Sequence, residues 1–195
     1  LFDETRGGVL RVEDFAALER FMAATAKSGH ELRAYDDALD FIAGRKDAEQ
    51  RAARLDKLLR SGRDAFPLKK LLNVPLYPYQ ADGALFAVRA GRALIGDDMG
   101  LGKTIQAIAA AEILARYFGV SRVLVICPTS LKYQWQSEIA RFSGRESRVI
   151  AGGRARRQQE YALDDFCKIT NYEKLRADLD LITTWSPGLV IVDEA

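Results

Sequence analysis

The stretch that decides the fold reads Ala93-Leu94-Ile95-Gly96-Asp97-Asp98-Met99-Gly100-Leu101-Gly102-Lys103-Thr104. Its first three residues form an apolar run that predicts a strand, and apolar residues at helical spacing follow it at Ile105, Ile108 and Ile113. A strand, a glycine-containing loop, Gly-Lys-Thr and a helix are the successive parts of a phosphate-binding P-loop. The sequence therefore predicts a phosphate site at the start of that helix.

The residue types in this loop fit the chemistry of a nucleotide phosphate. Gly100 and Gly102 let backbone N–H groups surround a phosphate without obstruction by side chains, and a helix N-terminus adds positive partial charge. Lys103 has the reach for the β and γ phosphates, and the hydroxyl of Thr104 is an oxygen ligand that suits Mg²⁺. The general pattern asks for glycine five positions before Gly102, where this chain has Asp97.

Further apolar runs recur between helical stretches, at residues 123–126, 149–150, 167–169 and 189–192. Such runs are typical of a parallel sheet covered on both faces, so we predict an α/β domain with right-handed crossovers over residues 75–195. Residues 1–74 are predicted to form a small helical extension with stops at Gly29 and Gly62. Two sets of residues recur there at helical spacing: Phe15, Leu18, Met22 and Thr25, then Ala48, Ala52, Leu55 and Leu59.

An acidic pair, Asp193 and Glu194, follows the last apolar run. In a P-loop ATPase, an aspartate at such a strand end holds Mg²⁺ and the neighbouring glutamate polarises the attacking water as a general base. A strand that runs into an acidic surface turn is the alternative interpretation. The phosphate loop upstream favours the functional one.

The composition limits the classes of function. The net charge is only +2, whereas a compact nucleic-acid binder usually has a clear basic excess, so nucleic-acid binding has to be argued from motifs. Cys127 and Cys167 are interpreted as buried, reduced thiols, and with the single His30 they are too few for a zinc site. Because no stretch has the roughly 20 apolar residues of a membrane span and no signal peptide opens the chain, we expect a reducing, intracellular compartment.

The segment from about Leu76 to Ala195 resembles the Snf-type ATPases of helicase superfamily two. Asp-Asp-Met-Gly-Leu-Gly-Lys-Thr matches that family's first motif, which itself has an acidic residue in place of the first glycine. Leu76-Tyr77-Pro78-Tyr79-Gln80 resembles its adenine-recognition element. The resemblance implies a RecA-like lobe that binds ATP and Mg²⁺, acts on double-stranded DNA and works with a second RecA-like lobe. It also implies a chain cut off after its second motif and nearly inactive alone.

The resemblance assigns roles to the matching positions. Lys103, Asp193 and Glu194 are the catalytic candidates, and Thr104 and Asp193 the metal ligands. The amide of Gln80 would read the adenine edge, since it both donates and accepts, while Pro78 also suits the first turn of a helix. The expected nucleotide contacts are Tyr77, Gln80, Asp98, Met99, Gly100, Leu101, Gly102, Lys103, Thr104 and Ile105.

Two further segments resemble DNA-contacting loops of the same family. Cys127-Pro128-Thr129-Ser130-Leu131-Lys132 resembles motif Ia, and Ile169-Thr170-Asn171-Tyr172-Glu173 resembles motif Ib. Thr129 and Ser130 also suit a helix cap. The expected nucleic-acid contacts are Thr129, Ser130, Lys132, Asn171 and Tyr172.

Trp135 shares an apolar helical stripe with Leu131, Ile139 and Phe142 and is interpreted as a core residue rather than a base-stacking one. A group of arginines lies between the two loops and is interpreted as solvated surface rather than as a phosphate-binding track. Its members are Arg141, Arg145, Arg148, Arg154, Arg156 and Arg157.

Other functions stay open: a DEAD-box-like RNA helicase, a restriction-type translocase subunit, or a nucleotide-gated DNA-binding scaffold without motor activity. After Cys127-Pro128 the chain reads Thr-Ser-Leu-Lys-Tyr-Gln-Trp rather than the DEAD-box Thr-Arg-Glu-Leu-Ala, which counts against the first. Abundant arginine and alanine indicate a bacterial member, for which we expect a cytoplasmic or nucleoid-associated location. A eukaryotic member would be nuclear.

Overall fold

The structure is a computed structural model of the chain. It describes residues 2–3, 9–10, 15–29, 35–60 and 70–194. The chain divides into two compact units, residues 1–50 and 51–195. The predicted division at residue 74 stays a prediction, and the predicted stop at Gly62 lies outside the described residues. Within these ranges, no helix has both the length and the apolar character needed to cross a bilayer.

The first unit contains a short antiparallel pair, β1 (Phe2–Asp3) and β2 (Val9–Leu10), the helix α1 (Phe15–Lys27) and the start of α2 (Asp36–Arg60). Both helices follow from the apolar spacing, and Gly29 takes a φ of +74° just beyond α1, where a stop was predicted. The helix α2 begins well before the predicted run at Ala48. Asp36 and Asp37 favour this earlier start, because acidic residues stabilise a first helical turn.

The second unit alternates helices with strands. Its helices are α3 (Pro78–Ala90), α4 (Lys103–Phe118), α5 (Lys132–Ser143), α6 (Arg154–Ala162), α7 (Tyr172–Leu175) and α8 (Leu179–Trp185). Its strands are β3 (Val123–Cys127), β4 (Ser147–Val149), β5 (Cys167–Asn171) and β6 (Leu189–Val192). The strands form a parallel sheet in the order β4-β5-β3-β6. This topology confirms the predicted parallel α/β fold.

Apolar layers cover both faces of the sheet, because successive side chains of a strand point to opposite faces. On one face, alternate residues of β3 pack with α3, α4 and α5. On the other, Leu124 and Ile126 pack with Tyr161 of α6 and with Ile182 and Trp185 of α8.

Both cysteines lie in this buried sheet as free thiols, as predicted. Burial raises the pKa of Cys127 to about 11 and that of Cys167 to about 12. Both thiols therefore stay protonated and unreactive near neutral pH.

The strand predicted at residues 93–95 is absent, and that prediction was wrong. The backbone from 93 to 98 has no regular structure, and Leu94 is 87% exposed. An extended segment becomes a strand only when a neighbour completes its hydrogen-bond ladder, and no described strand pairs with this one. Three apolar residues in a row cannot reveal whether such a neighbour exists.

Candidate nucleotide and metal site

Lys103 and Asp193 lie at the same edge of the sheet. Only residues 119–122 join α4 to β3, so the helix runs back along the sheet and its N-terminus lies near the carboxyl end of β3. The strand β6 is parallel to β3, with Val192 opposite Ile126, which brings Asp193 to that edge as well. Open parallel sheets bind ligands at this carboxyl edge.

The loop before α4 has the open backbone that a phosphate requires. Gly100 and Gly102 have φ values of +86° and +80°, which glycine adopts without steric cost. A Cβ atom at Gly100 would meet nothing within 4 Å. The ammonium of Lys103 donates to the carbonyls of Asp97 at 2.9 Å and Asp98 at 3.2 Å. The predicted glycines and lysine are therefore brought together.

Gln80 holds this loop through hydrogen bonds. Its Oε1 accepts from the backbone N–H of Tyr77 at 3.1 Å, and its Nε2 donates to the carbonyl of Leu101 at 3.2 Å. A Cβ atom at Gly102 would lie 2.6 Å from Nε2, so the close approach requires glycine. With its amide engaged and only 6% of the residue exposed, Gln80 acts here as a support for the loop.

Two tyrosines stand beside the loop. The rings of Tyr77 and Tyr79 stack with centroids 6.0 Å apart, and the hydroxyl of Tyr79 donates to the carbonyl of Leu101 at 3.1 Å. Both residues are well exposed, so an aromatic surface is open to a flat ligand such as a base. The helix α3 begins at Pro78, which confirms the predicted first-turn role of that residue.

The other predicted nucleotide contacts differ in exposure. Asp98, Met99 and Leu101 lie at the surface, whereas Ile105 is buried in the core. The side chain of Ile105 is therefore unavailable to a ligand. Thr104, in the first turn of α4, is partly exposed.

Sequence reasoning missed a hydrogen bond from Gln106 to Asp97. The Nε2 atom of Gln106 lies 2.6 Å from Oδ2 of Asp97, and Gln106 is 1% exposed. Asp97 occupies the position that is glycine in the general P-loop pattern, and its carboxylate is tied to the buried side of α4. A polar residue within the apolar pattern of α4 was the signal that could have indicated this contact.

Asp193 is held by two side chains from other elements. Its Oδ2 accepts from the indole Nε1 of Trp135 at 2.7 Å, and its carbonyl accepts from the hydroxyl of Tyr172 at 2.5 Å. Trp135 is 3% exposed, which confirms the predicted core position, but the polar bond was not foreseen. Glu194 is exposed and has a φ of +53°, uncommon for a residue with a side chain.

The donor set fits a magnesium ion that arrives with a nucleotide. Thr104 and Asp193 offer hard oxygen ligands, and Mg²⁺ in nucleotide sites takes one or two protein oxygens while phosphates and waters complete its shell. Among the described residues, no group of three or more His, Cys, Asp or Glu could hold a metal.

The two loops predicted to contact DNA meet in a polar cluster. The amide of Asn171 donates to Oγ1 of Thr129 at 2.7 Å, and both side chains donate to the carboxylate of Glu173. Thr129 and Ser130 are exposed, whereas Asn171 is buried. Lys132 is also buried and donates to the carbonyl of Ile150 at 3.2 Å, so it is not placed to contact DNA here.

The arginine group is largely engaged by carboxylates. Arg148 pairs with Asp165 at 2.6 Å, and Arg157 pairs with Asp178 at 2.7 Å. Arg145, Arg154 and Arg156 are also ion-paired within the chain. These pairs count against a phosphate-binding track. Arg157 is 5% exposed, so its interpretation as solvated surface was wrong.

Comparisons with known proteins agree with these features. The chain is 32% identical over 127 residues to a Caenorhabditis elegans homolog of "SWI/SNF-related matrix-associated actin-dependent regulator of chromatin subfamily A-like protein 1", covering 62% of this chain and 17% of that protein. It is 36% identical over 135 residues to the human "DNA annealing helicase and endonuclease ZRANB3", covering 64% and 12%. The chain therefore matches less than a fifth of the length of these relatives. Their animal sources give no support to the predicted bacterial origin.

The fold of the chain is also similar to that of a solved structure. The "Sulfolobus solfataricus SWI2/SNF2 ATPase core in complex with dsDNA" aligns with a TM-score of 0.55 at 28% identity, over 63% of this chain and 26% of that one. Residues 79–195, more than half of the chain, match the model of the SNF2-related domain. The chain belongs to the SNF2-related domain family.

Proposed function

We propose that this chain is the first ATP-binding lobe of a motor that moves along double-stranded DNA and hydrolyses ATP to ADP and phosphate together with a second RecA-like lobe. The observation that carries the proposal is the position of the glycine loop at Lys103 and the acidic strand end at Asp193 on one sheet edge. Membership of the SNF2-related family supports the same function.

Each of the residues at this edge has a separate role in the proposed reaction. Bound ATP with Mg²⁺ supplies the phosphoryl group and the cation that neutralises its charge. Lys103 exchanges the carbonyls of Asp97 and Asp98 for phosphate oxygens, and Thr104 and Asp193 orient the metal. Glu194 lies exposed just beyond β6, where it accepts a proton from the attacking water.

Double-stranded DNA is the proposed track. The similar Sulfolobus core was solved with such a duplex. Thr129 and Ser130 follow β3 at the carboxyl edge and carry exposed hydroxyls, which contact phosphates in many DNA complexes. We propose a location with cellular DNA, in the nucleus of a eukaryote or the nucleoid of a bacterium.

Nucleotide binding tests the first half of the proposal. We expect the chain to bind a fluorescent ATP analogue in the presence of Mg²⁺. The variant Lys103→Ala should bind it at least about tenfold more weakly, because a hydrogen bond to a charged group contributes about 1.5–3 kcal/mol. Lys70→Ala, at an exposed lysine distant in sequence from the loop, is the matched control. Equal affinity of the two variants would remove Lys103 from the site.

ATP turnover tests the second half. In a protein that joins this lobe to its second lobe, duplex DNA should stimulate hydrolysis, and Lys103→Ala should abolish the stimulation. Single-stranded DNA and RNA serve as the comparison. Stimulation by RNA alone would favour an RNA helicase and contradict the duplex-DNA proposal, and nucleotide binding without any turnover would favour a scaffold.

A further inference from the structure

The indole of Trp135 is directed at a carboxylate rather than only at apolar neighbours. Its Nε1 lies 2.7 Å from Oδ2 of Asp193, and Trp135 lies in the first turn of α5 with 3% of its surface exposed. The indole N–H is only a donor, so this bond requires an acceptor at that point. Hydrogen bonds to ionised groups in buried surroundings are short and stronger than neutral ones.

Burial alone does not account for this contact. Trp185 is buried as well, at 5% exposure, yet its Nε1 has no hydrogen-bond partner among the described residues. A buried indole in this domain is therefore not always directed at a carboxylate. The apolar stripe of α5 would be equally filled by an aromatic ring that has no donor.

Asp193 is fixed at three points. Its backbone N–H donates to Ile126 at 2.9 Å, its carbonyl accepts from Tyr172, and Oδ2 accepts from Trp135. No residue in the described ranges donates to the other carboxylate oxygen, Oδ1. A carboxylate held through its backbone and through one oxygen presents the second oxygen in a defined orientation, as supporting partners do for metal ligands.

We propose that Trp135 is a positioning residue that holds the carboxylate of Asp193 for Mg²⁺. The inference rests on the proposed nucleotide site and adds a residue that the P-loop and the acidic strand end do not include. Without the indole donor, the carboxylate rotates about its side-chain bonds, and the metal has to fix it. Loss of such a supporting partner typically lowers metal affinity by about 10- to 100-fold.

The Mg²⁺ dependence of nucleotide binding tests this role. A fluorescent ADP analogue is titrated against the chain over a range of Mg²⁺ concentrations for the wild type, Trp135→Phe and Trp185→Phe. We expect Trp135→Phe to need about 10- to 100-fold more Mg²⁺ to reach half of the maximal Mg²⁺-dependent gain in nucleotide binding. Its affinity for the nucleotide in the absence of metal should be unchanged. Trp185→Phe should match the wild type. An unchanged Mg²⁺ requirement in Trp135→Phe, or an equal loss without metal, would overturn the inference.

A second measurement leaves Trp135 in place, in case Trp135→Phe folds poorly. The chain has two tryptophans, so Trp185→Phe makes Trp135 the sole indole reporter. Mg²⁺ with unlabelled ADP should shift its emission, and the added change Asp193→Asn should remove the shift. Absence of a shift in a variant that still binds Mg–ADP overturns the role of Trp135. A wild-type chain that binds no nucleotide at any Mg²⁺ concentration would instead refute the proposed function itself.

Discussion

Gln106 connects the phosphate loop to the packing of two helices. Its amide nitrogen donates to Asp97 at 2.6 Å, and its amide oxygen occupies the space in which a side chain at Gly83 would lie. Gly83 belongs to α3 and Gln106 to α4. Close approach of these helices therefore fixes the donor that orients the acidic residue at the start of the loop.

Gly83→Ala is predicted to destabilise the chain. A Cβ atom at this position would lie 2.0 Å from Oε1 of Gln106, which is 1% exposed and bonded to Asp97. Displacing Gln106 should lower the free energy of unfolding by about 1–3 kcal/mol, as overpacking of a core does. Urea denaturation measures this change, and weaker binding of a fluorescent nucleotide should accompany it.

Gly44→Ala is the matched control, because Gly44 lies within α2 and a Cβ there would meet nothing within 4 Å. Alanine is the better helix former, so this variant should gain up to about 1 kcal/mol. The two substitutions are chemically identical and should have opposite signs. A gain of stability in Gly83→Ala would mean that Gln106 moves aside freely, contrary to its proposed role.

Much of the fold follows from local pattern. The run at residues 189–192 is identical to the observed β6, and α3 starts at the proline that favours a first helical turn. Apolar runs indicate strands reliably when the sheet buries them, as it does β3 and β5. The segment 93–95 has the same local character, but whether it is a strand depends on a neighbour distant in sequence.

In the candidate site, too, local sequence pattern predicts the motif residues but not the contacts between separate elements. The glycines, Lys103 and the acidic pair were predicted because their chemistry is carried by short motifs. The hydrogen bond of Trp135 to Asp193 joins a helix to a strand end that is distant in sequence, and the bond of Gln106 to Asp97 joins a helix to the loop before it. The spacing of residue types along the sequence does not reveal either contact. For the same reason, the burial of Lys132 against Ile150 could not be read from its position after an exposed loop.

Glu173 is predicted to weaken the contact of this lobe with DNA. Its carboxylate accepts hydrogen bonds from Thr129, which is proposed for phosphate contact, and from the neighbouring Asn171, and so takes the place of an anion. Hydrogen bonds from its own backbone, from Asn171 and from Thr129 keep the pKa of Glu173 below its usual value, so it is charged near neutral pH. Glu173→Gln should bind duplex DNA about fivefold more tightly at low salt, because the substitution removes a negative charge beside the proposed phosphate contact.

Glu138→Gln on α5 is the control, because it makes the same charge change at a side chain that accepts from Gln134 and lies outside the cluster of Thr129 and Asn171. Fluorescence anisotropy of a labelled duplex at several salt concentrations compares the two variants. Their difference should shrink as salt rises and screens exposed charges. If both bind alike, the effect is that of net charge; weaker binding by Glu173→Gln would show that Glu173 organises the loop.

Asp178 is predicted to be a large contributor to stability. It is fully buried and accepts from Arg157 at 2.7 and 2.8 Å and from Arg154 at 3.0 Å. Asp178→Asn would leave the buried guanidinium of Arg157 without its counter-charge and should cost about 3–5 kcal/mol in the free energy of unfolding. Asp180→Asn is the control. Its exposed carboxylate pairs with Arg154, and because solvent screens such surface pairs, Asp180→Asn should be nearly as stable as the wild type.

The pH dependence of this difference identifies charge as its cause. Burial opposes ionisation of Asp178, but hydrogen bonds from Arg157 and Arg154 outweigh it and keep the pKa of Asp178 below its usual 3.8. A carboxyl whose pKa is lower in the folded chain contributes stability that is complete above the unfolded pKa and is lost as the pH falls through the folded one. The difference between wild type and Asp178→Asn in urea should therefore be constant near neutral pH and narrow below about pH 4. The pKa of Asp165 is also lowered, but Asp165 titrates in both proteins, so its contribution cancels from the difference in stability. If that difference stays constant into strong acid, Asp178 is not charged in the folded chain.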